Sequence, residues 1–397
     1  MARAFRQSGL RATLTVVTLG TAALLAAGTA AFAATTSSSA AACVAKAHVG
    51  ARVGSAAGVI SAAAQPGCQS SASDLGTVGA AGQTANGTPP LIWHGGAMMG
   101  TASTGPLVIT PIYWNPAGHP MSDAYKNLLT QYISDVAGAS GHNTNVYSIS
   151  TDYSGTDGQI RYQIRLGTPV NDTSPLPANG CKLMPADKTA IYADGTGYNA
   201  CLDDNQVIAE TNRVVAAGHM PRDLSHIYVL FLPKAVESCF FAGATSTAKN
   251  ACTINYEPSA AYCAYHSQFG SNTVYANMPY PIYHSGPGFT CSSDARSAGF
   301  GGVQAPNGNP DADTEISPTS HEVNESWTDP DTVTGWYDSS GFENGDECAY
   351  IFGAVGGTAG GFYNQTIGGH HYLTQEEFSN NSFFSSGGGC LQSKAAE

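Results

Sequence analysis

One run of six apolar residues, 227–232 (IYVLFL), constrains the fold of this chain more than any other segment. Such a run is typical of a central strand that is buried on both faces of a sheet. Helices must then cover both faces, and two amphipathic patterns predict them. Residues 125–136 form one pattern, with Ser122 as the N-cap, and residues 204–217 form the other, with Gly218 as the C-cap. The sequence therefore predicts an α/β fold with a mixed sheet flanked by helices.

Three other segments have strand patterns. Residues 107–114 (LVITPIYW) contain Pro111, which predicts an edge position or a bulge. Residues 159–164 alternate as in a half-buried strand, and residues 273–278 form another strand. Because no linker-like break or internal repeat interrupts this part of the chain, a single loop-rich domain is predicted over residues 100–393.

The N-terminal part has a different composition. Basic residues, an apolar run and an Ala-Phe-Ala site predict a secretory signal peptide over residues 1–33. Residues 34–95 are mostly small, and they cannot bury enough apolar surface to offset the entropy of ordering. They are predicted to be a linker or a pro-segment, with the folded body starting near residue 95 to 105. The mature protein is expected to be secreted, extracellular and free of membrane spans, and an uncleaved N-terminal anchor is the alternative.

The net charge bears on the binding partners of the protein, and the number of cysteines bears on its compartment. A formal net charge of -13 argues against nucleic acid and anionic membranes as partners. Ten cysteines, an even number, are expected to form disulfide bonds, and pairing between chain neighbours is the simplest arrangement. A zinc site around Cys263 and His266 is the alternative, but it lacks a Cys-x-x-Cys partner. His266 and His284 are predicted to be structural or pocket-lining rather than metal ligands.

The segment 321–325 (HEVNE) has the spacing of a metal-binding helix. His321 and Glu325 lie one turn apart, and each can supply one ligand atom. Asp346 is the predicted third ligand, because it follows in a turn-rich segment that a disulfide can fix. Glu322 lies about 100° round the helix, and it is the predicted general base that deprotonates a bound water.

Alternatives remain for the third ligand and for the metal. Glu343 lies in the same turn-rich segment as Asp346, and His370 and His371 lie farther along the chain. Zinc is the expected cation, but a glutamate as the second ligand also suits a harder cation such as calcium. Acidic residues crowd this region, whereas residues 297–393 contain no Lys or Arg, so an acidic segment of this density would repel itself without a cation.

The helix that carries this motif is predicted to span about three turns. Ser317 is the predicted N-cap, Pro318 the first helical residue, and Pro330 lies beyond the end. Val323 and Trp327 are its only large apolar residues, a stripe that predicts a helix on the surface. The competing interpretation is therefore a solvated acidic face without a metal.

The C-terminal part of the chain resembles the EXORDIUM, or phosphate-induced, family of secreted proteins and their bacterial relatives. The likeness extends over about residues 105–391 and is strongest in a series of short motifs: His321-Glu322-x-x-Glu325, Thr328-x-Pro330, Trp336-Tyr337, Asp346-x-Cys348 and Phe352-Gly353. The resemblance implies an extracellular or wall-associated protein with a zincin-like site. Carried over by position, that site falls on His321, Glu322, Glu325 and Asp346.

These observations predict a secreted, zinc-dependent hydrolase that acts on peptide bonds, a zincin-like metallopeptidase with a polypeptide or cell-wall substrate. The alternative is a non-catalytic extracellular protein, EXORDIUM-like and binding or wall-associated, whose acidic site holds a structural cation. An open coordination position beside Glu322 would favour the enzyme, and a site closed by protein atoms would favour the structural cation.

Overall fold

The computed structural model describes residues 85–188, 192, 194–245, 252–253, 262–281, 300 and 302–397. The predicted signal peptide, most of the predicted leader, Cys43, Cys68, His284 and Cys291 lie outside these residues. Within the described ranges, no helix is both long enough and apolar enough to cross a membrane.

Four helices and sixteen strands make up the regular structure of the described residues. The helices are α1 (Asp123–Gly138), α2 (Asp204–Ala217), α3 (Pro310–Thr328) and α4 (Asn380–Ser386). The strands are β1 (Ile92–Trp93), β2 (Leu107–Trp114), β3 (Ser154–Gly155), β4 (Gly158–Gln159), β5 (Ile164–Leu166), β6 (Val170–Asp172), β7 (Ala200–Asp203), β8 (His226–Phe231), β9 (Val236–Cys239), β10 (Tyr265–Phe269), β11 (Thr273–Met278), β12 (Trp336–Tyr337), β13 (Gln365–Ile367), β14 (His370–Tyr372), β15 (Glu377–Phe378) and β16 (Cys390–Leu391).

A central mixed sheet organises the domain, as predicted. Its strand order is β10-β11-β8-β2-β5, and β6 pairs with the other half of β2. All neighbours are parallel except β10, which runs antiparallel to β11 at one edge. Apolar residues of α1 and α3 pack on one face of the sheet, and those of α2 pack on the other. The predicted central strand, α1 with its Ser122 cap, and α2 with Gly218 at its C-terminus are all confirmed.

Strand β2 is central, so the predicted edge position is wrong. It pairs with β8 on one side and with β5 and β6 on the other. The Leu107 N–H donates to Gln163 O and the Val108 N–H donates to Ser225 O, so the odd-numbered residues of β2 direct their amides away from β8. Pro111 is one of these, and it lies at the break between β5 and β6, where no ladder hydrogen bond is lost.

The segment predicted as a strand over residues 159–164 is regular only at its ends. Gln159 ends β4 and Ile164 begins β5, with irregular backbone between them. The alternating burial that motivated the prediction is nevertheless present, since Ile160 and Tyr162 are buried and their neighbours are exposed.

Helix α3 is longer and begins earlier than predicted. Asn309 is its N-cap, its side chain accepting from the Ala312 N–H, and Pro310 is its first residue. The predicted start at Ser317 and Pro318 is therefore wrong, and Pro318 lies inside the helix. The Ser317 hydroxyl instead accepts a hydrogen bond from the Gln375 N–H at 3.1 Å.

Helix α3 is also buried on nearly all sides, so the predicted surface position is wrong. Val323 and Trp327 are fully buried, and so are the polar residues between them. Strands β8, β10 and β11 pack on one side, and the 3-10 helix Val146–Asp152 packs on another. Ser150 Oγ of that 3-10 helix donates to Asn324 Oδ1 at 2.7 Å, and Thr328 Oγ1 donates to Asn344 Oδ1 of the C-terminal segment at 3.2 Å.

Residues 85–99 pack on the body, although the sequence suggested a body starting near residue 95 to 105. Leu91, Met98 and Met99 are buried, and β1 pairs with β12. The Asn86 N–H donates to the backbone of Glu347 at 2.7 Å. The packed part of the described chain therefore reaches back to residue 86.

We expect a chain that begins at residue 85 to be more stable than one that begins at residue 100. The shorter chain loses three buried apolar side chains, each of which contributes about 1.5–3 kcal/mol. Urea unfolding of the two chains measures the difference. Equal midpoints with equal slopes would show that residues 85–99 are dispensable.

The disulfides follow the predicted pairing of chain neighbours. Cys181 pairs with Cys201, Cys239 with Cys252, and Cys348 with Cys390. Cys263 is disulfide-bonded as well, which excludes the zinc site considered around it. Disulfide bonds are typical of proteins from oxidising compartments.

Replacing Cys348 and Cys390 together by serine should lower the free energy of unfolding by about 4 kcal/mol in the loop-entropy description, because this pair spans 42 residues. The Cys181–Cys201 pair spans 20 residues, so its double-serine variant is a matched control with an expected loss of about 3 kcal/mol. Denaturant titration of both variants checks the order. A smaller loss for the Cys348 variant would mean that its loop is already restrained in the unfolded chain.

Candidate metal centre

Three elements bring together the residues of the candidate centre. Helix α3 carries His321, Glu322 and Glu325, and the 3-10 helix Asp346–Cys348 carries Asp346. Strand β10 at the sheet edge carries His266 and lies against α3. Because the disulfide of Cys348 fixes the 3-10 helix, the position of Asp346 depends on covalent structure as well as on packing.

The three predicted metal ligands form one buried group. His321 Nε2 lies 2.8 Å from Glu325 Oε1 and 3.6 Å from Asp346 Oδ1. The three ligand atoms all lie within 4.8 Å of one another. No side chain of this group is more than about 3% exposed. The spacing of His321 and Glu325 in the sequence thus corresponds to a real convergence in space, and Asp346 joins them from a distant segment.

The side chains of this group lie close together, but several of their polar atoms are not aligned for a hydrogen bond. Within the described part of the chain, neither ring nitrogen of His321 has a hydrogen-bond partner, and Asp346 Oδ1 has none. Leaving such buried polar atoms unpaired is costly unless something else compensates them. Glu325 Oε1 accepts from the Asp346 N–H at 3.0 Å, which orients that carboxylate. Buried nitrogen and oxygen atoms that lie close together without hydrogen-bond partners are suited to bind a cation.

A second buried group adjoins the first. His266 Nδ1 lies 3.2 Å from Glu322 Oε2 and 3.6 Å from Glu325 Oε2. His266 Nε2 lies 2.9 Å from Asp329 O and 3.7 Å from Glu343 Oε1. The sequence analysis assigned His266 a structural or pocket-lining role, and its closeness to Glu322 and Glu325 was missed. Its sequence spacing carries no signal, because strand pairing alone brings it to α3.

The alternative third ligands have different surroundings. The Glu343 carboxylate lies 3.7 Å from His266 Nε2, and the Glu343 N–H donates to Asp346 Oδ2 at 3.3 Å. His370 Nδ1 lies 2.7 Å from Asp135 Oδ2, and the His371 ring stacks on Tyr363. Asp346 is therefore the one of these four candidates that the structure groups with His321 and Glu325.

Electrostatics couple the two groups. Burial alone would lower the pKa of His321, but Glu325, Glu322 and Asp346 outweigh it and raise that pKa to about 10. Burial would likewise lower the pKa of His266, and Glu322 and Glu325 raise it to about 10. Burial would raise the pKa of Glu325, but the two imidazoles lower it to about 2. Burial and Glu325 hold the pKa of Asp346 well above its usual range. Protons therefore supply positive charge that a metal cation could replace.

Two other clusters of candidate ligand residues have a simpler explanation. One joins Cys181, Cys201 and Cys239, and the other joins Glu237 with Cys239 and Cys252. All of these cysteines are in disulfide bonds. Their sulfur atoms are not thiolates and cannot serve as metal ligands.

Comparisons with protein-family models, with curated proteins and with solved structures find no match to this chain. The chemistry of the candidate centre must therefore be argued from its own residues. One imidazole nitrogen and two carboxylate oxygens form a ligand set that suits zinc, and the predominance of oxygen also suits a harder cation.

We expect the purified protein to bind at least one divalent cation, and we expect His321→Ala, Glu325→Ala and Asp346→Ala each to lower the amount bound. Cation binding at 100 times the dissociation constant stabilises the fold by about 2.7 kcal/mol, so a chelator should lower the melting temperature. Metal analysis after dialysis and thermal unfolding with and without chelator measure both effects.

Glu376→Gln is the matched control for these variants. Glu376 is also a buried carboxylate, but it belongs to neither group. It should keep the wild-type cation content. Full cation content in all three ligand variants would mean that His321, Glu325 and Asp346 do not form the binding site.

Proposed function

We propose that this protein is a secreted, metal-dependent hydrolase that acts on peptide bonds, with a zincin-like site. The observation that supports the proposal is the buried convergence of His321, Glu325 and Asp346, in which His321 Nε2 and Asp346 Oδ1 have no hydrogen-bond partner among the described residues. The disulfides are consistent with secretion. Membership of the EXORDIUM-like secreted proteins is part of the same proposal, and the motifs around residues 321–353 support it.

The proposed metal ligands differ in their roles. His321 supplies the nitrogen, and Glu325 is fixed for binding by the Asp346 N–H. Asp346 comes from a separate, disulfide-anchored segment, so metal binding would join α3 to the C-terminal part of the chain. A divalent cation held here, zinc by preference and calcium as the alternative, would supply Lewis-acid chemistry to the attack of water on a carbonyl carbon.

Glu322 is the proposed general base. It follows His321 directly on α3, so its carboxylate lies beside the proposed ligands and not among them. Its Oε2 lies 3.2 Å from His266 Nδ1, which orients the side chain. An ionised carboxylate in this position can accept the proton of the attacking water and pass it to the leaving amine.

A non-catalytic role with a structural cation is the second candidate, and one observation favours it. His321, Glu322 and Glu325 have no exposed surface, and Asp346 is only 2% exposed. A cation enclosed by protein atoms would join α3 to the 3-10 helix Asp346–Cys348 without taking part in a reaction. In that case the protein would be an EXORDIUM-like extracellular binding or wall-associated protein.

Glu322→Gln separates the two candidates. The variant keeps the shape of the side chain but cannot accept a proton, so we expect peptide hydrolysis to fall by about 10² to 10⁴. The cation held by His321, Glu325 and Asp346 should remain bound. Cleavage of a mixed library of unstructured peptides by the metal-loaded protein provides the rate, and metal analysis provides the occupancy.

Glu376→Gln again serves as the matched control, because it removes a buried carboxylate that belongs to neither group of candidate ligands. Its hydrolysis should equal that of the wild type. A wild-type protein that binds the cation and cleaves no peptide of the library would contradict hydrolysis of peptide bonds and favour the structural cation.

A further inference from the structure

We infer that the centre binds two divalent cations, with a second position formed by His266 Nδ1, Glu322 Oε2 and Glu325 Oε2. One ligand atom from each of these three residues lies within 4.8 Å of the others, and Nδ1 lies 3.2 Å from Glu322 Oε2 and 3.6 Å from Glu325 Oε2. The inference rests on the proposed metal site at His321, Glu325 and Asp346, but it does not depend on hydrolysis. Sequence analysis did not assign this second position, and it uses His266, which lies outside the motif.

The first argument is the orientation of His266. Its Nε2 lies 2.9 Å from the backbone carbonyl of Asp329, an atom that can only accept a hydrogen bond. Nε2 therefore carries a proton whether the ring is charged or neutral, and Nδ1 directs its lone pair toward Glu322 and Glu325 once a cation replaces its proton. Histidines that bind metals are commonly fixed in this way, with the other ring nitrogen donating to a carbonyl or a carboxylate.

The second argument is the position of the Glu325 carboxylate between the two groups. Its Oε1 lies 2.8 Å from His321 Nε2, and its Oε2 lies 3.6 Å from His266 Nδ1. Within the described residues, Oε2 is buried and has no hydrogen-bond partner. Each oxygen of one carboxylate thus belongs to a different set of ligand atoms. This is the arrangement of a carboxylate that bridges two cations, which lie about 3.5–4 Å apart in two-metal sites.

The third argument is the balance of charge. Five buried carboxylates lie in or beside the centre with two imidazoles: Glu322, Glu325, Glu343, Asp346 and Glu377, with His266 and His321. No Lys or Arg occurs in residues 297–393. With all five carboxylates ionised, one divalent cation offsets two negative charges, and two cations offset four. Buried carboxylates are costly without such compensation.

The second position changes what Glu322 does without excluding its proposed role as base. The cation would use Oε2, the oxygen that faces His266. Glu322 would then hold the second cation and also lie beside the first, because it precedes Glu325 by less than one helical turn. Glu322→Gln should consequently remove the second cation and leave the first.

Cation stoichiometry tests the inference. The full chain, stripped with chelator and titrated with Zn²⁺ alone, should bind two equivalents per chain by calorimetry and by native mass spectrometry. His266→Asn and Glu322→Gln should bind one equivalent, and Asp346→Asn should also bind one. Glu325→Gln removes the bridge and should bind less tightly at both positions. Glu376→Gln, the matched control, should bind two.

A spectroscopic measurement on the unaltered protein guards against variants that fail to fold. With Mn²⁺ in place of zinc, two cations joined by one carboxylate should give an exchange-coupled electron paramagnetic resonance signal. The signal should revert to that of isolated Mn²⁺ in His266→Asn.

The outcomes separate this inference from the proposed function. One equivalent in the wild type, lost in Asp346→Asn and kept in His266→Asn, would overturn the second position and leave the first intact. In that case a protonated His266 occupies the place of the second cation and supplies positive charge to Glu322 and Glu325. No binding of Zn²⁺ or Mn²⁺ by the wild type would overturn both proposals.

Discussion

The rest of this structure depends on the burial of α3, a helix whose inward-facing residues are mostly polar. His321, Glu322 and Glu325 have no exposed surface, although ionised side chains in a protein interior lose the solvation that water provides. Two imidazoles partly compensate the carboxylates, because Glu322 and Glu325 outweigh the effect of burial and raise the pKa of each ring to about 10. The buried position of α3 is therefore stable only while positive charge, from the imidazoles or from a bound cation, compensates its carboxylates.

This constraint explains the way in which the C-terminal segment packs. Residues after α3 contain short strands and turns rather than a long helix, and they form polar contacts with α3 such as Thr328 with Asn344 and Ser317 with Gln375. The Cys348–Cys390 disulfide closes that segment into a loop. The disulfide and the candidate centre therefore act on the same part of the chain, one by restricting the unfolded state and the other by joining α3 to Asp346.

Features with a local cause could be predicted from the sequence. The helices α1 and α2 follow from apolar periodicity and good caps, and β8 follows from a continuous apolar run. Pro111 misled the prediction for β2, because the break between β5 and β6 lies far along the chain and no local pattern reveals it. The start of α3 was misplaced because Asn309-Pro310 and Ser317-Pro318 both have the pattern of a helix N-terminus. Only tertiary packing decides between two such signals.

The residues of the candidate centre also differ in whether the sequence could predict them. The spacing of His321 and Glu325 within one helix was enough to predict that they meet, and Asp346 was found because a nearby cysteine implied a fixed loop. His266 could not be found in this manner, since it comes from β10 and reaches α3 only through the pairing of β10 with β11. A residue contributed by a sheet edge and a residue contributed by a helix motif thus become neighbours only in the folded chain. If both hold cations, then the antiparallel edge strand is part of the centre, and cation binding should protect the amides of β10 from hydrogen exchange as well as those of α3.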